Sequence, residues 1–288
     1  MKKIALAAAA ISTLFVGTAS GADLAVKALH PAPPPCIWCG FYVGGNIGYG
    51  FGKTDVTGNN FYTGNLAPAL TSGTLHTWSL SDNLNGVLGG GQVGYNTQFD
   101  HGLVVGIEAD IQGTNLKSSG IAAIPLSPNA LLGLVSNSGL STTSDRLDWF
   151  GTVRGRLGFT AVAPNVLLYG TAGVAYGHVK GTLSYADTFP GLATISGVGQ
   201  FNETRVGWTA GAGVEWKPST LPRWSFKAEY LYTDLGSVRG QALVNTPTPF
   251  FAPGTFPVFV ASQSSLYRFN TVRVGVNYHF GGPIVAKY

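Results

Sequence analysis

Eight segments of this chain alternate large apolar side chains with small or polar ones at a period of two. No stretch beyond residue 22 holds an apolar run of about 18 residues, the length a helix needs to cross a bilayer. A period of two is the signature of a strand with one face in an apolar medium. The chain is therefore either a soluble, exported β-protein such as a lectin-like sandwich, or one that crosses a membrane as strands, the only alternative to helices there.

In GFYVGGNIGYGF, Phe41, Val43, Ile47, Tyr49 and Phe51 share one face, against Tyr42, Gly44, Asn46, Gly48 and Gly50. Val87, Val93, Tyr95 and Phe99 oppose Gln92, Gly94, Asn96 and Gln98, and Leu103, Val105, Ile107, Ala109 and Ile111 oppose Glu108, Asp110 and Gln112. Leu147, Trp149, Val153, Leu157 and Phe159 stand against Asp148, Thr152, Arg154 and Arg156. VLLYGTAGVAYG from Val166 reads as strand mainly by composition. Val206, Trp208, Ala210, Ala212, Val214 and Trp216 then oppose Arg205, Thr209 and Glu215, and Trp224, Phe226, Ala228, Tyr230 and Tyr232 oppose Ser225, Lys227 and Glu229. Last, Val272, Val274, Val276, Tyr278 and Phe280 oppose Thr271, Arg273, Asn277 and His279. Each segment is roughly ten residues long, the length of a tilted transmembrane strand.

The connections alternate too. DHG at Asp100, TAVAPN at Thr160 and KPSTLPR at Lys217 are short, whereas the stretches near residues 52–84, 114–145, 178–204 and 236–266 are long and rich in Gly, Ser, Thr, Asn and Pro. Tight turns at one end and extended loops at the other describe an outer-membrane barrel. Phe41, Phe99, Phe159, Trp216, Trp224 and Phe280 fall at the short-turn end, and Phe51, Trp149, Tyr176, Trp208 and Tyr232 toward the long loops, giving two aromatic girdles. The expected fold is all-β, an eight-stranded antiparallel up-and-down transmembrane barrel.

Lys2 and Lys3, the apolar stretch Ile4 to Gly17 and the small residues before Asp23 read as a signal peptide over 1–22. A Pro-rich periplasmic segment is expected over 23–39, the barrel over 40–280 and a short tail over 281–288. Removing two lysines lowers the formal charge from +4 to about +2, so basicity points to no particular partner. With only 10% charged residues, the chain has neither a nucleic-acid binder's composition nor a disordered one.

An eight-stranded barrel is just wide enough to be filled by its own side chains. Charges inside must then be paired, because an isolated buried charge costs several kcal/mol. Counting from the short turns sets Glu108 and Asp110 level with Arg154 and Arg156, Glu215 opposite Lys227, and Glu229 opposite Arg273. These eight are read as internal counter-ions in preference to the filter of a narrow pore, their glycine neighbours letting the wall curve.

GFYVGGNIGYGFG, GGGQVGYNTQ, GIEADIQ, WFGTVRGRLGF, LLYGTAGVAYG, GWTAGAGVEW, FKAEYLYTDLG and VRVGVNYHF, in that order, resemble the porin-like outer-membrane β-barrel family of alphaproteobacteria. The resemblance spans about Gly40 to Phe280. It implies an OmpA-like barrel at the cell surface that contributes to envelope integrity, surface-antigen behaviour in some relatives, and haemin binding in some members. The peptidoglycan-binding domain of full-length OmpA-type proteins is not expected after the last strand, so anchoring would fall to the barrel or to Asp23–Cys39. RVGVNYHF, Arg273 to Phe280, resembles the signal read by the barrel-assembly machinery, with GGPIVAKY following it and Tyr288 as the competing terminal aromatic.

Little else suggests chemistry. Cys36 and Cys39 in CIWC suit a local disulfide in the oxidising periplasm, and nothing predicts the helix a redox pair needs. His76 and His178, expected in or beside long loops, are the candidates for a haem ligand; His101 falls in a turn and His279 at the inner rim. Asp148 and Asp234 lie near the long-loop rim with no histidine to make a catalytic group, and no nucleophile or metalloprotease motif is present, so no cofactor and no enzyme activity are expected. IAAIPLSPNALLGLV from Ile121 and PFFAPGTFPVFV from Pro249 are unusually apolar for loops. They either extend the barrel above the membrane or form a patch that binds a host surface or another ligand. Lipid and lipopolysaccharide of the outer membrane are the expected surroundings.

Overall fold

The computed structural model describes residues 36–67, 70–124, 128–129, 134–135, 137–189, 193–245 and 258–280. The expected signal peptide, most of the Pro-rich segment, the C-terminal tail and the centres of both apolar loops lie outside them.

Eight strands form the wall: β1 (Gly40–Ala67), β2 (Leu70–Gln98), β3 (Leu103–Ile124), β4 (Asn137–Ala163), β5 (Val166–Phe189), β6 (Ala193–Trp216), β7 (Trp224–Asn245) and β8 (Val258–His279). Each pairs antiparallel with the next, and β8 closes on β1 from Tyr42↔His279 to Thr63↔Val258. In the part that faces hydrocarbon this closure leaves no strand edge, as it must where nothing can satisfy an open backbone; farther out, β2 and β3 part beyond Asn85↔Lys117, and the pairing of β6 with β7 lapses between Gly197 and Trp208. The expected fold is thus the observed one. Pro128–Asn129 pairs with Leu134–Val135 in a small separate ribbon between β3 and β4. At the short-turn end, the chain reverses between β2 and β3 through Asp100–Gly102, where His101 and Gly102 both take positive φ, 65° and 81°.

The strands are much longer than ten residues. A 24-residue strand such as β5 rises roughly 60 Å at about 3.3 Å per residue and a tilt near 40°, against an apolar band of about 25 Å. Most of the four stretches read as loops are strand, and His76 and His178 sit on β2 and β5. Sequence reading missed the extension because the alternation reverses its sense. Near the short turns, Val93, Ile107, Leu157, Val174 and Val274 face outward while Gln92, Glu108, Arg156 and Arg273 face the lumen. Farther out, Val179, Leu183, Tyr185, Val238 and Ala261 fill the lumen, and Thr57, Ser79, Ser144 and Gln200 lie outside. Lipid outside draws apolar side chains outward; water outside drives them in.

Two face assignments are corrected, those of Leu147 and Asp148, the latter lying on the outer wall with Arg146 and Lys180. Leu147 belongs with the lumen, buried against Phe150, Leu116 and Val179, and not with Val153. The register shift between Leu147 and Trp149 changes the inward parity of β4 at that height, whereas β3, shifted between Gly113 and Leu116, keeps its even-numbered residues inward on both sides.

Ile107→Arg, midway along the lipid-facing part of β3, is expected to cost about 2–4 kcal/mol, whereas Ser184→Arg, outward but above the membrane, should stay within about 0.5 kcal/mol. Urea unfolding in lipid vesicles measures both.

Candidate functional site

The lumen is built in layers. At the short-turn mouth, Trp38, Val104, Leu167 and Tyr169 form a floor. Trp38, which precedes β1, donates its indole N–H to the Pro164 carbonyl at 3.0 Å, and the Lys217 ammonium lies 5.0 Å from its ring centroid and donates to the Ile37 carbonyl at 2.8 Å. The Gln98 side-chain oxygen accepts from the backbone N–H groups of Ile37 and Trp38. Cys36 and Cys39 are joined in a disulfide, which fixes this short loop and so the insertion of Trp38. From sequence the bond is only one possibility for this pair, and nothing there assigns a role to the tryptophan between the cysteines.

Above the floor all eight predicted charged residues converge, on strands β3, β4, β6, β7 and β8. Arg154 is the hub: it reaches Glu108 at 2.6 Å, Asp110 at 2.9 Å and Glu229 at 2.9 Å, and its Nε donates to Thr152 at 2.8 Å. Arg273 donates from Nε to Glu229 at 2.6 Å and from Nη2 to Asp110 at 2.9 Å. Four acids and four bases neutralise one another in a space with almost no exposure.

The pairing differs from the expectation in one place. Glu215 and Lys227 are register partners on β6 and β7 but form no ion pair; Lys227 crosses the lumen to Glu108 at 2.9 and 3.0 Å, and Glu215 takes Arg156 at 2.7 Å. Long side chains in a narrow tube meet across it as easily as along the wall, so ladder counting finds the height of a charge but not its partner. Glu215 also accepts from Ser225 at 2.5 Å and Asn277 at 2.7 Å, and Tyr42 donates to Glu108 at 2.7 Å. The Arg156 guanidinium lies 3.9 Å from the Tyr169 ring centroid. Inward glycines make room for these groups: a Cβ at Gly94 would run into the Tyr42 phenol, and one at Gly213 into that of Tyr169.

A third layer is apolar: Leu84, Leu116, Leu147, Phe150, Val179, Leu235, Tyr267 and Phe269 among others, with Phe150 edge-on to Phe269 at 5.3 Å. Asp145 lies at its outer margin, above the membrane. Burial pushes its carboxyl up to about 6, against hydrogen bonds from Tyr267 and Ser265 and with Asp82 adding like charge. A fourth cluster, including Val56, Trp78, Leu183, Tyr185 and Ala242, fills the outer end.

Of the remaining candidates His279 borders this network, its Nε2 3.7 Å from Glu215, while Asp148, Asp234 and His178 lie apart from it. Asp148 pairs with Arg146 at 2.6 Å and Lys180 at 2.8 Å, and Asp234 with Arg268 at 3.0 Å, both on the outer wall. His178 stacks on Trp149, ring planes 6° apart. His279 is buried beside Ser225, 2.9 Å from its hydroxyl. Among the described residues no group of three or more His, Cys, Asp or Glu could hold a metal ion.

The model of the outer membrane protein beta-barrel domain family matches residues 24–280. A 31 kDa outer-membrane immunogenic protein of Brucella melitensis biotype 1 is 36% identical over 287 residues, covering 97% of this chain and all of that protein. A 22 kDa outer membrane protein of Rhizobium leguminosarum bv. viciae is 29% identical over 72% of this chain and 69% of its own length. Among solved structures, the outer membrane protein OprG of Pseudomonas aeruginosa is 16% identical, with a TM-score of 0.34 over 84% of this chain and 97% of that one.

Glu108→Gln removes the carboxylate that Lys227 pairs with and one of the three that hold Arg154, and is expected to destabilise the barrel by about 3–5 kcal/mol in urea titrations. Asp145 titrates higher in the folded protein than unfolded, so its contribution is fully present below about pH 4 and is lost as pH rises through about 6. Parent stability should therefore fall relative to Asp145→Asn across that window, as followed by thermal unfolding.

Proposed function

This chain belongs to the outer membrane protein beta-barrel domain family, and from that membership we propose that its primary role is structural: a closed barrel that contributes to envelope integrity and carries no catalytic site. The observation that supports this reading is the filling of the lumen from end to end. Trp38 and its neighbours, the eight-charge network, the Leu and Phe layer and the outer apolar cluster succeed one another along the axis. A conducting pore needs a continuous polar path, and each apolar layer interrupts it. The same filling disfavours the narrow-channel alternative.

In this reading the short-turn end is periplasmic, residues 1–22 are removed on export, and Arg273–Phe280 is what the barrel-assembly machinery reads. Tyr278 and Phe280 meet edge to face on the outer wall at that end, 5.3 Å apart, which suits a signal that must be visible from outside.

Recognition of a host surface or of haemin is a second reading, layered on the first. Its support is the exposure of Ile121, Leu140, Val198 and Leu243 on the outside of the wall far beyond the girdle, where water and not lipid surrounds it.

In planar bilayers the purified barrel is expected to pass no resolved single-channel current, and cells lacking it should become more sensitive to detergents. Reproducible conductance from the parent protein would favour the channel instead. Leu140→Ser and Leu243→Ser together are expected to lower adhesion of whole cells without altering heat-dependent mobility in gels.

A further inference from the structure

The outer wall carries an arrangement that its own residues do not stabilise. Lys117 on β3 is the register partner of Arg146 on β4, which in turn partners Lys180 on β5, and the row ends at Asn202 on β6. Like charges directly opposite one another on neighbouring strands repel. Asp148 compensates Arg146 and Lys180, but Lys117 has no carboxylate partner among the described residues. Three cations against one acid leave two positive charges unmatched. The nearby Asp145 carboxylate cannot help, because it points into the lumen.

On the opposite side of the barrel the same height is balanced. Lys53 partners Arg268, which partners Asp234, and Asp55 stands two residues along from Lys53. The surplus is therefore a property of one face, β3 to β5, and not of the rim as a whole.

The chemistry above and below the row is ordered. Below it, toward the hydrocarbon, Trp149 stacks on His178 and meets Tyr176 edge-on at 6.1 Å, a belt at acyl-carbonyl depth. Above it, two residues farther out, Ser119, Ser144, Thr182 and Gln200 are again consecutive register partners. A groove of about 470 Å³ runs across both rows, lined by Lys117, Arg146, Lys180, Ser144, Thr182 and Gln200, with the buried Asp145 and Phe201 at its base. Aromatic, cationic and hydroxyl tiers follow the order in which a phosphorylated glycolipid of the outer leaflet presents its acyl carbonyls, phosphates and sugars.

We propose that the β3–β5 face is a binding site for the phosphorylated sugar headgroup of lipid A, with Lys117, Arg146 and Lys180 holding a phosphate and the Ser–Ser–Thr–Gln tier hydrogen-bonding the sugar. A phosphate between Lys117 and Arg146 converts their repulsion into two charge-assisted hydrogen bonds. Asp148 holds Arg146 and Lys180 outstretched along the wall, so little side-chain order remains to be imposed when the lipid arrives. The site rests on the placement of the barrel in the outer membrane and adds a specific lipid ligand to its structural role.

Native mass spectrometry of the full-length protein in detergent, titrated with lipid A carrying both phosphates, tests this. A saturable first site is expected for the parent. The triple variant K117Q/R146Q/K180Q should weaken it at least about tenfold, and Lys117→Gln alone about threefold, from the loss of charge-assisted contacts. K53Q/R268Q on the balanced face should bind like the parent, and lipid A stripped of its phosphates should bind the parent no better than intact lipid A binds the triple variant. Equal affinity of parent and triple variant, or indifference to the phosphates, overturns the proposal. So does preferential binding of a heparin fragment, which would make the row a site for a soluble polyanion. Heat-dependent mobility is read in parallel: its loss in the parent would fault the barrel itself, whereas its retention with unchanged binding faults only the site.

Discussion

A wall one strand thick must satisfy whatever lies on each side of it, and here the outside medium changes partway up. Below the outer girdle the exterior is hydrocarbon, so Ile107, Leu157 and Val274 face out and the lumen receives whatever is polar. Above it the exterior is water, and Leu183, Val238 and Phe201 turn inward. The charge network follows from the first condition: side chains that cannot face lipid are forced together in a tube too narrow to hydrate them, and only mutual neutralisation makes that tolerable. The apolar layers above follow from the second. Membrane seat, ionic middle and greasy top are three consequences of one boundary.

The membrane half of the molecule was legible in the sequence for the same reason. Hydrocarbon imposes a strict period of two with the apolar side outward, and eight segments display it. The register of Glu108 with Arg154 and of Glu229 with Arg273 followed from counting along strands from known turns. Counting fails where geometry leaves the ladder. Lys227 reaches Glu108 across the lumen, and the shift near Asp148 changes the parity of Leu147. The upper wall was hidden by its reversed sense and by its Ser, Thr, Asn and Gly content, which reads as loop until the inward apolar positions are seen to recur at every second residue. The Trp38 floor left one trace, an apolar Ile-Trp pair between two cysteines where a solvated linker would have been polar.

The two ends of the barrel are closed by different means. The short-turn mouth is sealed by a covalent loop, Cys36–Cys39, that carries a tryptophan into place and is tied to Gln98, Pro164 and Lys217. The long-strand end is sealed by the convergence of side chains from the wall itself. The ionic layer lies between them, with Arg156 resting on the Tyr169 ring of the floor.

The continuation of all eight strands well past the headgroup region carries their outer ends away from the bilayer by several residues of extended backbone. Each added residue lengthens the upper wall without altering the seat beneath, so changes made at the outer ends leave the anchorage as it was. The upper wall is in effect a pedestal: it sets the outer ends of the strands well clear of the charged layer and the membrane seat underneath.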